Sequence, residues 1–245
     1  MEIRICENSE MLGKSAAKYV AEVLKNAISE NGSARIVLST GASQFDTLKA
    51  LVKEEGIKWE CVEMFHLDEY VGLPESHGAS FRKYLKERFV EKVGNLKAAY
   101  FVDGTPECIA KITEEIKKAP IDIGLIGIGE NAHIAFNDPP ADFDTKESYI
   151  VVNLNERCKQ QQMSEGWFET IDDVPKQAIS MTCHQIMQCK KIVSCVPYKV
   201  KAEAIENTLK SKEVTNKIPA TLLKTHPDMI LYVDKDSASG IVNYL

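Results

Sequence analysis

Several features that mark common classes of protein are missing from this chain of 245 residues. It has no C-x-x-C pair, and its seven cysteines are spread from Cys6 to Cys195, which suits neither a disulfide framework nor a zinc site. No run approaches the roughly eighteen apolar residues of a membrane span, and the charged start MEIRICENSE is unlike a signal peptide. We therefore expect a protein of the reducing cytoplasm that does not contact a membrane.

An excess of positive charge is missing as well. The net charge is −6, so the chain has no surplus of cations to neutralise a phosphate backbone, and we expect no nucleic-acid partner. The sequence also has no internal repeat and no low-complexity linker. With 44% hydrophobic residues, residues 1–245 are long enough to bury the core of a single domain.

Short apolar segments alternate with helical patterns along the chain. A helix is expected over residues 9–30, with Ser9 as a possible N-cap. Alternation of strands and helices predicts an α/β fold, a Rossmann-like three-layer α/β/α arrangement with a mostly parallel sheet and helices on both faces. After the fourth predicted strand, the apolar residues follow neither the helical period nor the strand period strongly. We expect a lid-like segment at about residues 141–175. The predicted strands are RIVLS, CVEMFHL, AAYFV, IDIGLIGIG, QAISMT, KIVSCVP and DMILYVD.

Polar clusters follow four of these strands. They are STGAS, HLDEYVGLP, GIGENAHIAFNDPP and VPYKVK. Ligands of open parallel sheets bind beyond the carboxyl ends of the strands. We therefore expect four distant segments to meet at one rim of the sheet.

Two of the clusters suggest a phosphate site. Thr40 and Ser43 place hydroxyl groups beside Gly41 at a turn that opens a helix, and such turns can hold a phosphate dianion. Lys201 follows another predicted strand and could supply a cation to the same phosphate. An ordinary helix cap and a surface lysine explain the same residues, so both interpretations remain open at this point.

The other two clusters suggest acid–base chemistry. Asp68 follows an apolar strand and could act as a general base. His133 has the side chain that most often serves as a general acid or base, and Asn131 and Asp138 could orient its ring. A turn-capping aspartate and a structural histidine are the alternatives. A metal site formed with His66 is a third interpretation, but no H-E-x-x-H or similar spacing supports it, and we expect no metal.

A dinucleotide site is also excluded by its context. Gly127, Gly129 and Ala132 match G-x-G-x-x-A, but Pro139 and Pro140 would break the helix on which a pyrophosphate rests. The motif also follows about the fourth strand, whereas it usually follows the first. We expect no nicotinamide, flavin or other cofactor, and we interpret the glycines as sites where the backbone bends sharply and approaches a ligand.

The segments FHLDEYVGLP and GIGENAHIAFNDPP together strongly resemble the glucosamine-6-phosphate deaminase (isomerase) family, which is related in fold to the 6-phosphogluconolactonases. The match in order and spacing extends from about Ser39 to Lys201. The resemblance implies an enzyme that isomerises and deaminates an amino-sugar phosphate, most directly glucosamine 6-phosphate plus water to fructose 6-phosphate plus ammonia. It also implies that the partner is a small sugar phosphate and that the protein is a homo-oligomer.

The resemblance assigns roles to individual residues. His133 would protonate the ring oxygen of the sugar, Asp138 and Asn131 would hold its imidazole, and Asp68 would move the proton from C2 to C1. Gly129 and Ala132 would contact the substrate. The residues that would bind the phosphate are Thr40, Gly41, Ala42, Ser43 and Lys201.

The chain departs from the family pattern in three places. It has Asn131-Ala132-His133 where well-known members have Asp-Gly-His, and Asp138 where they have Glu. Many members carry a phosphate-binding arginine in the lid, and Arg157 is a poor positional match for it. A lactone hydrolase and a non-catalytic sugar-phosphate sensor therefore remain as alternatives, and the choice between gluco and galacto substrates depends on the pocket geometry.

Overall fold

A computed structural model describes residues 1–164 and 166–241 of the chain. Ten strands lie in this part of the chain and are numbered in chain order. They are β1 (Glu2–Cys6), β2 (Ala34–Leu38), β3 (Val62–His66), β4 (Asp68–Tyr70), β5 (Ala98–Tyr100), β6 (Ile123–Leu125), β7 (Tyr149–Asn153), β8 (Gln177–Met181), β9 (Lys191–Val196) and β10 (Met229–Asp234).

The helices cover both faces of the sheet. A π-helical turn, Lys86–Val90, joins the third α-helix of the chain to the fourth. The α-helices of the described residues are α1 (Ser9–Asn31), α2 (Phe45–Leu51), α3 (Phe81–Leu85), α4 (Glu91–Val93), α5 (Cys108–Lys117), α6 (Glu156–Ser164), α7 (Cys183–Ile186) and α8 (Ala202–Lys210).

Seven strands form one fully parallel sheet in the order β1-β10-β9-β6-β2-β3-β5. Successive side chains of a strand point to opposite faces. In β2, Ile36 and Leu38 accordingly pack in the same cluster as Leu24 of α1, whereas Val37 packs in the other cluster with Ile112 of α5. The sheet therefore separates two hydrophobic cores, and the predicted α/β/α architecture is confirmed.

A second, antiparallel sheet was not predicted. Its strand order is β4-β8-β7, with Asp68 opposite Ser180 and Tyr149 opposite Met181. Residues 177–181 form a strand as predicted, but they lie outside the main sheet. The local sequence shows only that these residues have the pattern of a strand. Which strand they pair with depends on residues far away in the chain.

Two details at the start of the chain also differ from prediction. Strand β1 was missed because it lies at the edge of the sheet, where Ile5 is 45% exposed and charged residues interrupt the apolar pattern. Helix α1 begins as expected, but its cap is Asn8, whose side-chain oxygen accepts a hydrogen bond from the Met11 N–H.

A search of the described helices for a membrane span, by length and hydropathy, finds none.

Candidate active site

One cavity lies beyond the carboxyl ends of four neighbouring strands, β9, β6, β2 and β3. All four polar clusters that follow these strands contribute to its wall, together with helix α6. Its lining residues are Ser39, Thr40, Gly41, Ala42, Ser43, Leu67, Asp68, Phe81, Gly127, Ile128, Gly129, His133, Ala135, Phe136, Gln161, Gln162, Tyr198, Val200 and Lys201. The sheet order brings these segments together because β6 lies between β9 and β2, and β3 lies beside β2.

The turn that follows β2, residues 39–44, forms one end of this wall. Gly41 has φ 95° and ψ 168°, a conformation that is essentially restricted to glycine. Its carbonyl accepts a hydrogen bond of 2.9 Å from the Tyr84 hydroxyl, which anchors the turn to helix α3. Ser39 lies at the start of the turn, and its buried Oγ has no hydrogen-bond partner among the described residues. The turn therefore presents hydroxyl groups to the cavity on a firmly held backbone.

Lys201 joins this end of the cavity from the segment after β9. It lies in a 3₁₀ turn that precedes α8 and is 93% buried, since its relative exposure is 7%. The turn begins at Tyr198, which has φ 80° and whose N–H donates to the Asp234 carboxylate over 3.0 Å. Lys201 is thus a buried side chain that lines the same cavity as residues 39–43, and the surface-lysine interpretation is wrong.

Asp68 and Glu69 are adjacent carboxylates with different surroundings. Glu69 accepts hydrogen bonds from the Ser80 hydroxyl at 2.9 Å and from the Arg82 N–H and Nε, and its exposure is 0%. It therefore holds the start of α3 and is fully engaged. Asp68 instead lines the cavity. Burial raises the pKa of Asp68 to about 8, and the nearby Glu69 adds to the increase.

His133 is held from one side by two oxygen atoms. Its Nδ1 lies 2.6 Å from Asn131 Oδ1 and 3.1 Å from Asp138 Oδ1. Since both are acceptors, Nδ1 carries the proton, and Nε2 is left for the cavity that His133 lines. Asn131 Nδ2 in turn donates to Asp138 Oδ1 over 2.9 Å, so the three side chains support one another.

Asp138 is the charged member of this group. Burial raises the pKa of Asp138, but the hydrogen bonds and charge of His133 and the hydrogen bond from Asn131 outweigh burial, and the pKa lies below its ordinary value. Asp138 is therefore ionised at neutral pH. A carboxylate at this distance stabilises the protonated imidazole of His133.

The segment 127–138 forms a closed turn where a helix would otherwise begin. The Gly129 N–H donates to the His133 carbonyl over 2.9 Å, and Asn137 Nδ2 donates to the carbonyls of Ile134 and Met181. A Cβ atom on Gly129 would lie 2.2 Å from two atoms of the His133 ring, so glycine makes room for the imidazole. The turn thus places the ring against its own backbone and points its free nitrogen to the cavity.

Comparisons with known proteins show the family of this chain. The family model of glucosamine-6-phosphate isomerases/6-phosphogluconolactonase matches residues 7–231. The chain belongs to this family. A glucosamine-6-phosphate deaminase of Thermoanaerobacter pseudethanolicus is 36% identical over 251 residues, covering 98% of this chain and 95% of the relative. One of Staphylococcus epidermidis is 35% identical over 233 residues, covering 91% and 94%.

Solved structures share the fold. A monomeric glucosamine-6-phosphate deaminase matches with a TM-score of 0.87 and 28% identity, covering 98% of this chain and 100% of the other. A 6-phosphogluconolactonase of Shewanella baltica matches with a TM-score of 0.77 and 18% identity, covering 96% and 97%. The family resemblance predicted from the sequence is therefore confirmed.

Three of the predicted site residues do not line the cavity. Asn131 and Asp138 act behind His133, as described above. Ala132, predicted to contact substrate, is buried, its N–H donates to the Gly129 carbonyl, and its carbonyl accepts from the Ala220 N–H. Its φ is 64°, a left-handed conformation in which the glycine of well-known family members would be unstrained. The structure thus gives Ala132 a place in the turn behind the ring.

Helix α6 supplies two polar lining residues that were not predicted from the sequence. Gln161 and Gln162 face the cavity, whereas Arg157 lines a separate cleft with Asn131. Arg157 was the only residue of this segment considered as a phosphate ligand, and uncharged side chains were not predicted. A usable pattern was present, since Cys158, Gln161 and Gln162 have the i, i+3, i+4 spacing of one helical face. The predicted lid at about 141–175 contains this helix and strand β7, and its movement remains a prediction.

His66, considered as a metal ligand, lies away from this cavity. It is fully buried, and desolvation together with the charge of Arg82 lowers its pKa to about 3, so it is neutral. Its ring packs edge-on against Phe101 at 5.8 Å. Within residues 1–164 and 166–241, no group of three or more His, Cys, Asp or Glu side chains is placed to hold a metal ion.

Proposed function

We propose that this chain converts glucosamine 6-phosphate and water to fructose 6-phosphate and ammonia. The observation that carries the proposal is that Asp68 and His133 line one cavity with residues 39–43 and Lys201. A carboxylate, an imidazole and a phosphate-binding end thus surround a space that one sugar phosphate would fill. Relatives 35–36% identical to the chain and described as glucosamine-6-phosphate deaminases support the same activity.

Binding of the phosphate would orient the sugar. Thr40 and Ser43 offer hydroxyl donors, Ser39 offers a buried hydroxyl without another partner in the described chain, and Lys201 offers the positive charge. Holding the 6-phosphate fixes the distant carbons C1 and C2 relative to the acid and the base, which lowers the entropic part of the barrier.

Ring opening would use His133. The protonated imidazole donates its Nε2 proton to the ring oxygen, the C1–O5 bond breaks, and the C1 hydroxyl loses its proton to water to give the open-chain aldehyde. Asp138 stabilises the imidazolium beforehand, because its carboxylate is ionised and lies 3.1 Å from Nδ1. Asn131 fixes the ring by hydrogen bonding and adds no charge. Asp138 is thus the charged partner of the His133 side chain in the proposed reaction, and Asn131 is the uncharged one.

The proton shift would use Asp68. The carboxylate removes the C2 proton of the open-chain sugar and returns it to C1, while the C1 carbonyl oxygen gains a proton and the amino group at C2 loses one. The product has a hydroxyl at C1 and an imine at C2, which water hydrolyses to the ketone and ammonia. A base with a pKa of about 8 is stronger than an ordinary carboxylate, although at pH 7 only about one molecule in ten carries it ionised. Burial therefore makes Asp68 a stronger base and also lowers the fraction of molecules in which it is ionised at pH 7.

The test measures ammonia release and the exchange of the C2 proton with deuterium from solvent. We expect Asp68→Asn to lower both by about 10²- to 10⁴-fold, because the base is removed, while the affinity for an alditol 6-phosphate changes little. Unchanged exchange would contradict the role of Asp68. Bound substrate without ammonia from the unmodified protein would favour a sensor, and hydrolysis of 6-phosphogluconolactone would favour a lactonase.

Assembly and cellular location are further parts of the proposal. The predicted homo-oligomer has no support from the monomeric structural relative, and light scattering of the purified protein decides between the two states. A cytoplasmic location fits the described chain's free cysteines, which form no disulfide, and cell fractionation tests it.

A further inference from the structure

A buried glutamine ends the turn that follows β2. Gln44 is only 1% exposed, and it lies behind the cavity wall without lining the cavity itself. Its Nε2 lies 3.3 Å from Ser43 Oγ and 3.1 Å from the carbonyl oxygen of Cys195 in β9. A Cβ atom on Gly127, which follows β6, would lie 3.5 Å from the same nitrogen. Gln44 therefore contacts or approaches three of the segments that form the site, and the reaction proposed above gives it no role.

The Cys195 carbonyl determines which way the Gln44 amide faces. A carbonyl oxygen only accepts hydrogen bonds, so the NH₂ group of Gln44 must face it, and not the amide oxygen. The NH₂ group has a second hydrogen, which it donates to Ser43 Oγ. Both donors of the amide are therefore used, and the Ser43 oxygen acts as an acceptor toward Gln44.

This hydrogen bond leaves the hydrogen of the Ser43 hydroxyl available for a ligand. A hydroxyl group has one hydrogen and two lone pairs, so an oxygen that accepts from Gln44 keeps its own hydrogen for another partner. Among residues 1–164 and 166–241, no acceptor lies within hydrogen-bond distance of that hydroxyl, and Ser43 lines the cavity. A phosphate dianion only accepts hydrogen bonds, so a donated hydrogen is what it requires from this position.

We propose that Gln44 is a positioning residue for phosphate binding: its NH₂ group occupies a lone pair of Ser43 Oγ and so makes the Ser43 hydroxyl a donor to the 6-phosphate. The proposal rests on the proposed function for the identity of the ligand. Without this amide the hydroxyl is free to rotate, and part of the time it presents a lone pair to the phosphate oxygens. Gln44 thus acts on the ligand through Ser43, and this dependence provides the test.

The experiment is a double-mutant cycle, with binding of unreactive glucitol 6-phosphate measured by calorimetry. We expect Gln44→Met, which is similar in length but has no NH₂ group, to weaken binding about fivefold. Ser43→Ala should weaken it about tenfold, because the hydroxyl itself is lost. Adding Gln44→Met to the Ser43→Ala protein should change the affinity by about twofold or less, since both residues act through the same hydroxyl. In steady-state ammonia release, Gln44→Met should raise KM and leave kcat within about twofold.

Gln185→Met is the matched control. Gln185 is also paired with a serine, since its Oε1 accepts a hydrogen bond of 2.8 Å from the Ser148 hydroxyl, but it does not line the cavity. Its substitution should leave the affinity for glucitol 6-phosphate unchanged. Gln44→Leu also removes the NH₂ group and should repeat the result of Gln44→Met, so the test does not depend on the folding of one variant.

Two results would overturn the proposal. One is an equal effect of Gln44→Met with and without the Ser43 hydroxyl, which would mean that Gln44 acts on the fold alone. The other is unchanged binding in both Gln44 variants. Ammonia release by the unmodified protein is measured in parallel: its absence counts against the proposed function, while the coupling between Gln44 and Ser43 decides the role of the glutamine.

Discussion

The turn after β2 and the turn after β6 both depend on a glycine, but for different physical reasons. Gly41 adopts φ 95°, and a Cβ atom there would meet nothing within 4 Å, so the backbone conformation requires glycine. Gly129 needs no left-handed backbone, but a Cβ atom would lie 2.2 Å from the His133 ring. One glycine shapes the loop that we propose binds the phosphate, and the other makes room for the histidine that we propose opens the sugar ring. Substitutions should therefore affect binding in the first turn and turnover in the second.

The largest effect is expected in the second turn. Gly129→Ala should displace the His133 imidazole and lower kcat by about 10²-fold or more, because a general acid must lie within hydrogen-bond reach of its target. Steady-state ammonia release measures this. Gly127→Ala is the comparison, since its Cβ would meet the nearest atom, Gln44 Nε2, at 3.5 Å and should leave the His133 NMR signals unchanged. Equal shifts of these signals in both variants would contradict the steric explanation.

The pH dependence of C2-proton exchange tests the role of Asp68 in turnover separately from phosphate binding. Burial raises the pKa of Asp68 to about 8, so the base is protonated below that pH and ionised above it. The kcat/KM for C2-proton exchange should therefore rise about tenfold per pH unit below pH 8 and level off above it. Carbon-13 NMR of the aspartate carboxyl groups, with Asp68→Asn to assign the signal, measures the pKa directly. A midpoint near 4 would show that Asp68 is an ordinary carboxylate.

A smaller effect is expected in the first turn. Gly41→Ala forces a side chain into a conformation that costs about 1–3 kcal/mol, and the loop should relax away from the phosphate. We expect KM to rise about tenfold with kcat nearly unchanged. A fall in kcat at constant KM would place this turn at the reacting end and remove the distinction between the two turns.

The smallest effect concerns stability alone. Ala132 has φ 64°, so Ala132→Gly relieves left-handed strain but increases the freedom of the unfolded chain. We expect a net gain in the free energy of unfolding of about 0.5–1 kcal/mol, measured by urea denaturation. A loss of stability would mean that the Ala132 methyl group, which is buried, contributes more packing than the strain costs.

Much of the fold follows from local patterns. The apolar segments of β2, β3, β6, β9 and β10 are visible in the sequence because strands buried on both faces read as continuous apolar runs. Edge strand β1 and the small sheet escaped prediction because half-exposed or short strands carry a weak pattern. Prediction was therefore best where burial was most complete.

The candidate site was predicted in a similarly uneven way. The predicted residues 40–43, Asp68, His133 and Lys201 all line the cavity, since each follows a strand that ends at the same rim. Gln161 and Gln162 were missed because a cation was expected in this segment, and the spacing that places them on one helical face with Cys158 does not by itself show that this face lines a cavity.

The sequence by itself determined the order of the buried strands β2, β3, β6, β9 and β10 and the positions of polar residues after strands, because hydrophobic periodicity and turn residues act over a few neighbouring positions. Only the tertiary structure decided that Asp68 lines the cavity while Glu69 holds α3, and that α6 contributes to the cavity wall. Those outcomes depend on contacts between residues far apart in the chain, such as Tyr70 with Gln162. Such contacts form only when the sheet and its helices pack together.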